Sequence, residues 1–154
     1  MRRPLLLATL VVAAGLAAIA LARQLTVPDI ESAQKRLASG FDELERLGAY
    51  VVASDGEFLG RISRGFGSDS LGNRFGKGSR FASKGLFNPY SPYGSRFSSK
   101  SAFSSTASEP PEILVRQGGT TYSVGLLTTN PVASTRGQRI DPRYLRTWLG
   151  LDQD

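Results

Sequence analysis

Catalysis needs groups that exchange protons, attack a substrate or hold a metal, and this chain offers few of them. Its 154 residues include no cysteine and no histidine. A Ser-His-Asp or Cys-His centre therefore cannot form within one chain, and zinc, copper and iron lose their commonest ligands. What remains is a carboxylate such as Asp55, Asp69 or Asp141, or a serine–lysine pair. Ser32-Ala33-Gln34-Lys35 has the Ser-x-x-Lys spacing of penicillin-binding enzymes. Their other motifs are absent and the chain is far too short for their fold, so the match carries no function. The three aspartates stand where turns and helix caps favour Asp. No cluster of Asp and Glu is available to ligate calcium. The sequence thus predicts a protein that is not an enzyme, with no metal, no cofactor and no evident small-molecule substrate.

The chemistry it does offer is the binding of anions. Formal charge is +6 and the isoelectric point is near 10.1. Much of that charge lies in residues 64–103, where Arg64, Arg74, Lys77, Arg80, Lys84, Arg96 and Lys100 are opposed by Asp69 alone. The same stretch holds eight of the chain's thirteen Phe and Tyr residues, Tyr90 and Tyr93 among them. Such cations neutralise phosphate or carboxylate, while arginine and aromatic planes stack on bases or sugars. The stretch is also an internal repeat of 15 or 16 residues. Leu71, Asn73, Gly78, Ser79, Arg80, Phe81, Ser83 and Lys84 recur as Leu86, Asn88, Gly94, Ser95, Arg96, Phe97, Ser99 and Lys100 once a one-residue gap is allowed. Ser101-Ala102-Phe103 starts a third copy that Pro110-Pro111 breaks. Asn-Pro and Tyr-Gly steps predict turns rather than strands. Three arrangements fit this composition. The aromatics could be inward rungs, with Phe81 and Phe97 at matched positions and the cations in solvent. The segment could be a polyanion-binding face. It could also be a disordered low-complexity linker.

The elements that would position this segment can be read from periodicity and punctuation. Residues 1–22 predict a signal peptide or membrane anchor. Arg2 and Arg3 precede an apolar run from Leu5 to Ala22, closed by Ala20-Leu21-Ala22. Cleavage after Ala22 would release the chain to the periplasm or exterior. Otherwise the run, 18 residues long, would hold it in the membrane facing outward. Within 23–48, the residues Ile30, Ala33, Leu37, Phe41, Leu44 and Leu47 recur at helical steps, which predicts an amphipathic helix over 29–47 capped by Asp29 and ended by Gly48. Its apolar face would pack on the domain behind it or serve self-association. Asp55-Gly56 between 50–53 and 58–62 predicts a β-hairpin, and Gln117-Gly118-Gly119 between 113–116 and 120–128 predicts a second. Each carries an in-strand glycine, Gly60 or Gly125, which signals a bulge or close backbone approach. Asp141 and Pro142 open a last short helix, with Trp148 covering the sheet and Gly150 ending it. The expected fold is mainly β with flanking helices: a small pseudo-symmetric β-domain over 49–150, made of two hairpins and the inserted turn-rich repeat, behind an N-terminal signal or anchor helix.

This order of motifs resembles a family of small exported bacterial proteins. The residues that carry the likeness are Asp55-Gly56-Glu57-Phe58-Leu59-Gly60, the tandem Asn88-Pro89-Tyr90 and Tyr93-Gly94-Ser95 turns, Pro110-Pro111-Glu112-Ile113, Leu126-Leu127-Thr128-Thr129-Asn130 and Ile140-Asp141-Pro142. The likeness covers about residues 50–149. It departs at Arg74-Phe75-Gly76-Lys77, where the family has Pro-Tyr-Gly-x-Tyr. The resemblance implies the architecture and export, and brings no activity. The role expected is a non-enzymatic envelope module that binds an anionic polymer or lipid surface through 64–100. The alternative is a structural or assembly module with a protein partner, or one that self-associates through 29–47. Lipid headgroups, anionic wall polymers and extracellular nucleic acid are the anions that a basic exported protein meets.

Overall fold

Two adjacent glycines set the second hairpin. Gly118 and Gly119 both take positive φ, 56° and 82°, the geometry a two-residue type I′ turn demands and a Cβ resists. They join β3 (Glu112–Gln117) to β4 (Thr120–Leu127). The Asp55-Gly56 turn likewise joins β1 (Tyr50–Val52) to β2 (Phe58–Arg61), and Asp55 Oδ1 accepts the Glu57 N–H at 3.2 Å. These elements belong to a computed structural model that describes residues 27–133 and 138–152. The predicted leader at 1–22 lies outside the described residues. Among the described residues no helix is long and apolar enough to cross a membrane.

The chain divides into two units, Met1–Leu37 and Ala38–Asp154. Of the first, the described part is the opening of α1 (Val27–Arg46), where Ser32, Lys35 and Leu37 are exposed. The side chains of Ile30 and Ala33 lie outside those described. The helix starts two residues before the expected cap, so Asp29 sits inside its first turn. Its end matches expectation. Gly48 N–H bonds to the Glu45 carbonyl and Ala49 N–H to that of Leu44, a Schellman closure.

In the second unit the sheet has the order β2-β1-β3-β4-β5, so the two hairpins meet through their first strands. Val51 faces Ile113 across that antiparallel seam. Outward from it, Val51 faces Gly60 and Ile113 faces Gly125, and both hairpins shift register beside these pairs. The two in-strand glycines thus sit at matched bulges, and each makes room for a following segment, Gly60 for the Leu71 side chain as well as for backbone. A Cβ on Gly60 would lie 3.1 Å from the Asp69 carbonyl oxygen, and one on Gly125 would collide with that of Gln138. Arg61 then pairs in parallel with Ser70. On the other edge β4 pairs in parallel with β5 (Gln138–Ile140), a strand the sequence reading missed. The result is a five-stranded mixed sheet with two flanking helices.

The core is one cluster that includes Val51, Leu59, Ile62, Leu71, Leu86, Ile113, Leu127 and Leu145. Phe41 from the last turns of α1 joins it. The closing helix α2 (Pro142–Trp148) is capped by Asp141, which accepts the Arg143 N–H at 2.9 Å. Trp148 packs on Phe41, ring centres 5.6 Å apart, and its indole N–H donates to Asp42 at 3.1 Å. Trp148 also packs against the core cluster, so it bridges that core and α1.

Candidate functional site

Between β2 and β3 the chain forms a ribbon of turns with a period of three residues. Ser70, Asn73, Gly76, Ser79, Ala82, Gly85, Asn88 and Ser91 each donate their N–H to the carbonyl three residues back, at 2.9–3.4 Å. The same positions point inward; Ser70, Gly85, Asn88 and Ser91 are buried. A polar side chain there closes the turn a second way. Asn73 Oδ1 accepts from Phe75 N–H at 2.9 Å, Ser79 Oγ from Phe81 at 3.2 Å and Asn88 Oδ1 from Tyr90 at 2.9 Å. Ser95, Ser98, Ser101 and Ser104 continue the pattern. Short Ser and Asn side chains that favour local backbone bonds are what such a ribbon needs. The 15-residue repeat is thus five triplets, and its one-residue gap is the longer turn in which Ser95 N–H reaches back to Ser91 at 3.1 Å. Gly78 and Gly94 confirm the alignment: a Cβ would strike the Leu71 and Asn73 carbonyls in the first copy and those of Leu86 and Asn88 in the second.

This geometry sorts the aromatics. Phe81 and Phe97 are not inward rungs: they stand 83% and 94% exposed. Each occupies the third place of its triplet, while the inward place goes to a small residue. Phe66, Phe75 and Tyr90 are also 94–100% exposed. Phe87 and Tyr93 are buried instead, and Phe103 packs on the core. The ribbon's regular hydrogen bonding likewise replaces the linker reading.

The cations divide as well. Lys77, Lys84 and Lys100 turn to the β1–β2 hairpin. Lys84 Nζ lies 2.8 Å from Glu57 and Lys100 Nζ lies 2.9 Å from Asp55. Lys77 donates to the Phe58 carbonyl at 2.8 Å and stands 3.9 Å from Glu57. The buried Tyr93 joins them, its hydroxyl donating to Asp55 at 3.0 Å. The Lys100 hydrogen bond holds the Asp55 carboxyl below its usual range, and Asp55 in return raises Lys100. Glu57 raises Lys84 in the same way. Burial, then the Asp55 bond, raises the Tyr93 hydroxyl. Arg64 is occupied elsewhere. It pairs with Asp42 at 2.7 Å and Glu45 at 3.2 Å and stacks 4.4 Å over Trp148.

Arg74, Arg80 and Arg96 turn to a groove. One part, about 470 Å³, is lined by Arg74, Phe75, Arg80, Phe81, Phe87 and Arg146. A second part, about 190 Å³, shares Arg80, Phe87 and Arg146 and adds Arg96 and Phe103. Arg80 and Arg96 make no ion pair among the described residues, and the Arg80 guanidinium lies 5.3 Å from its own Phe81 ring centre. Arg74 donates to the Gly150 carbonyl at 2.8 Å, which holds it at the rim. Among the described residues Arg146 meets Asp152, at 3.8 Å, and the Leu151 carbonyl. It is the one cation of the groove that sequence reasoning missed, because α2 is remote in sequence from the repeat. Of the nine residues predicted for a polyanion site, the structure gathers Arg74, Arg80 and Arg96 here. Tyr90 is exposed but does not line the groove. Arg64, Lys77, Lys84, Lys100 and Tyr93 hold the domain together.

The carboxylates considered for catalysis have structural partners too. Asp69 pairs with Arg61 at 2.7 Å, and Asp141 caps α2 while bonding Arg143. Among the described residues no three acidic side chains gather to hold a metal. The chain matches no family model, no curated protein and no solved structure.

Proposed function

We propose that this protein is an exported, non-enzymatic module of the cell envelope that binds an anionic polymer or surface through the arginine groove. One observation carries the reading: four arginines, Arg74, Arg80, Arg96 and Arg146, line two recesses that share Arg80, Phe87 and Arg146, beside exposed phenyl rings. Arginine's fork suits phosphate and carboxylate alike. The leader-like residues 1–22 support export, and the motif order supports kinship with the exported bacterial proteins that the chain resembles. The matched registers of the two hairpins support a pseudo-symmetric β-domain as the scaffold.

The test is binding of the full chain to polyphosphate, polyglutamate and anionic vesicles from low to high salt. The reading expects affinity that falls steeply with salt and fades in Arg80→Gln/Arg96→Gln. Absence of binding at low salt contradicts it. Phe66, 95% exposed, and Phe97, 94% exposed, favour a second reading, an assembly module with a protein partner, whose signature is a defined, salt-insensitive complex.

A further inference from the structure

The groove combines two features that a simple polyanion would not need. Phe75 is fully exposed and Phe81 83% exposed, at the rim of a recess whose floor includes the buried Phe87. Exposed phenyl faces beside guanidinium groups are stacking platforms. Among the described residues the lining has no Asp, Glu, Asn or Gln side chain, and one hydroxyl, on Ser79, which accepts the Phe81 N–H. Arginine donates but never accepts, so these side chains offer sugar hydroxyls, which do both, few acceptors. A bilayer is a broad surface that does not follow arginines into a recess. Driving Phe81 into hydrocarbon would also carry the Arg80 guanidinium with it, at a cost. A flat ring that presents a π-face, on a backbone that presents anions, meets none of these objections.

We propose that the groove takes single-stranded nucleic acid, with phosphates on Arg74, Arg80, Arg96 and Arg146 and bases stacked on Phe75 and Phe81. The inference rests on the anion-binding reading and narrows it. Duplex is disfavoured, because its bases are already stacked on one another and offer no face to the rings.

The experiment measures fluorescence anisotropy with the full chain and three labelled probes of about 16 nucleotides, the upper end of a common site size. The probes are oligothymidylate, an abasic strand of equal length, and a duplex; vesicles containing phosphatidylglycerol compete. Oligothymidylate should bind at least roughly five-fold tighter than the abasic strand, the lower bound that stacking of a single base predicts. Phe75→Ala with Phe81→Ala should remove most of that advantage and leave abasic binding in place. Both rings are solvent-exposed, so the variant should retain the wild-type circular dichroism and melting. Equal affinity for the base-bearing and abasic strands overturns the inference while the anion-binding reading stands. Displacement by vesicles at lower phosphate concentration than by oligothymidylate overturns it in favour of a membrane. No binding to any probe overturns both.

Discussion

The lysines and the arginines of the repeat differ in what they face. Lys77, Lys84 and Lys100 meet Glu57 and Asp55 at the tip of the first hairpin. Arg80 and Arg96 make no ion pair among the described residues and line a groove with Arg74 and Arg146. A lysine is a compact point charge on a flexible stem and suits a single carboxylate within the fold. Arginine is a planar fork that stacks and bridges two oxygens, and suits a ligand. Seven cations in one stretch of sequence are therefore not one basic face. Net charge located the segment, and partner geometry decides which of its charges are available.

The comparison presumes a rigid ribbon, so the largest effect should come from breaking it. Gly78→Ala and Gly94→Ala place a methyl group against backbone carbonyls that cannot retreat cheaply. Each should cost about 3 kcal/mol in denaturant unfolding, the upper range for overpacking. Asn88→Ala comes next. It leaves the Ala82 carbonyl and the Tyr90 N–H without their 2.8 Å and 2.9 Å partners. A loss of about 2 kcal/mol is expected for two net hydrogen bonds.

The lysine edge should then show in acid. The Asp55 carboxyl is held below its usual 3.8 by the Lys100 hydrogen bond. Its contribution is therefore complete above that value and is lost as pH falls through the lower, folded value. Lys100 is raised above 10.5, so its part is lost only as pH rises beyond that. Asp55→Asn should lower stability at about pH 6 and flatten the acid limb below pH 3.8, read by urea midpoints across the range. A stability curve with an unchanged acid limb would separate the hairpin tip from the ribbon. The smallest effect on folding is expected at the arginines. Arg80→Gln with Arg96→Gln should stay within about 0.5 kcal/mol of wild type, as for exposed side chains without an ion pair.

Much of the scaffold was legible. Asp55-Gly56 and Gln117-Gly118-Gly119 announced both hairpins, and Asp141-Pro142 with Gly150 bounded α2 almost to the residue. Gly60 and Gly125 signalled the bulges, because a missing Cβ inside a strand has few other uses. Strand β5 was not legible: Gln138 and Arg139 are exposed, and the strand exists because Gly125 lets its backbone approach. The ribbon's period left a trace that the longer repeat concealed, small residues at every third place from Ser70 to Ser91. Phe81 and Phe97 misled because matched aromatics suggest a core, whereas here Leu71 and Leu86 provide it. The division of lysine from arginine depends on contacts made between the repeat and Asp55, Glu57 and Arg146, and no local pattern encodes those.

The most direct measurement compares salt dependence in two double variants, Arg80→Gln/Arg96→Gln and Lys84→Gln/Lys100→Gln, binding one single-stranded oligonucleotide. Each phosphate contact on a single strand contributes about 0.7 to the slope of log affinity against log salt. The arginine variant should lose about twice that and keep its melting temperature. The lysine variant should keep the slope and lose stability. If both variants lose the same slope, the division of the repeat into a folding edge and a binding edge is wrong.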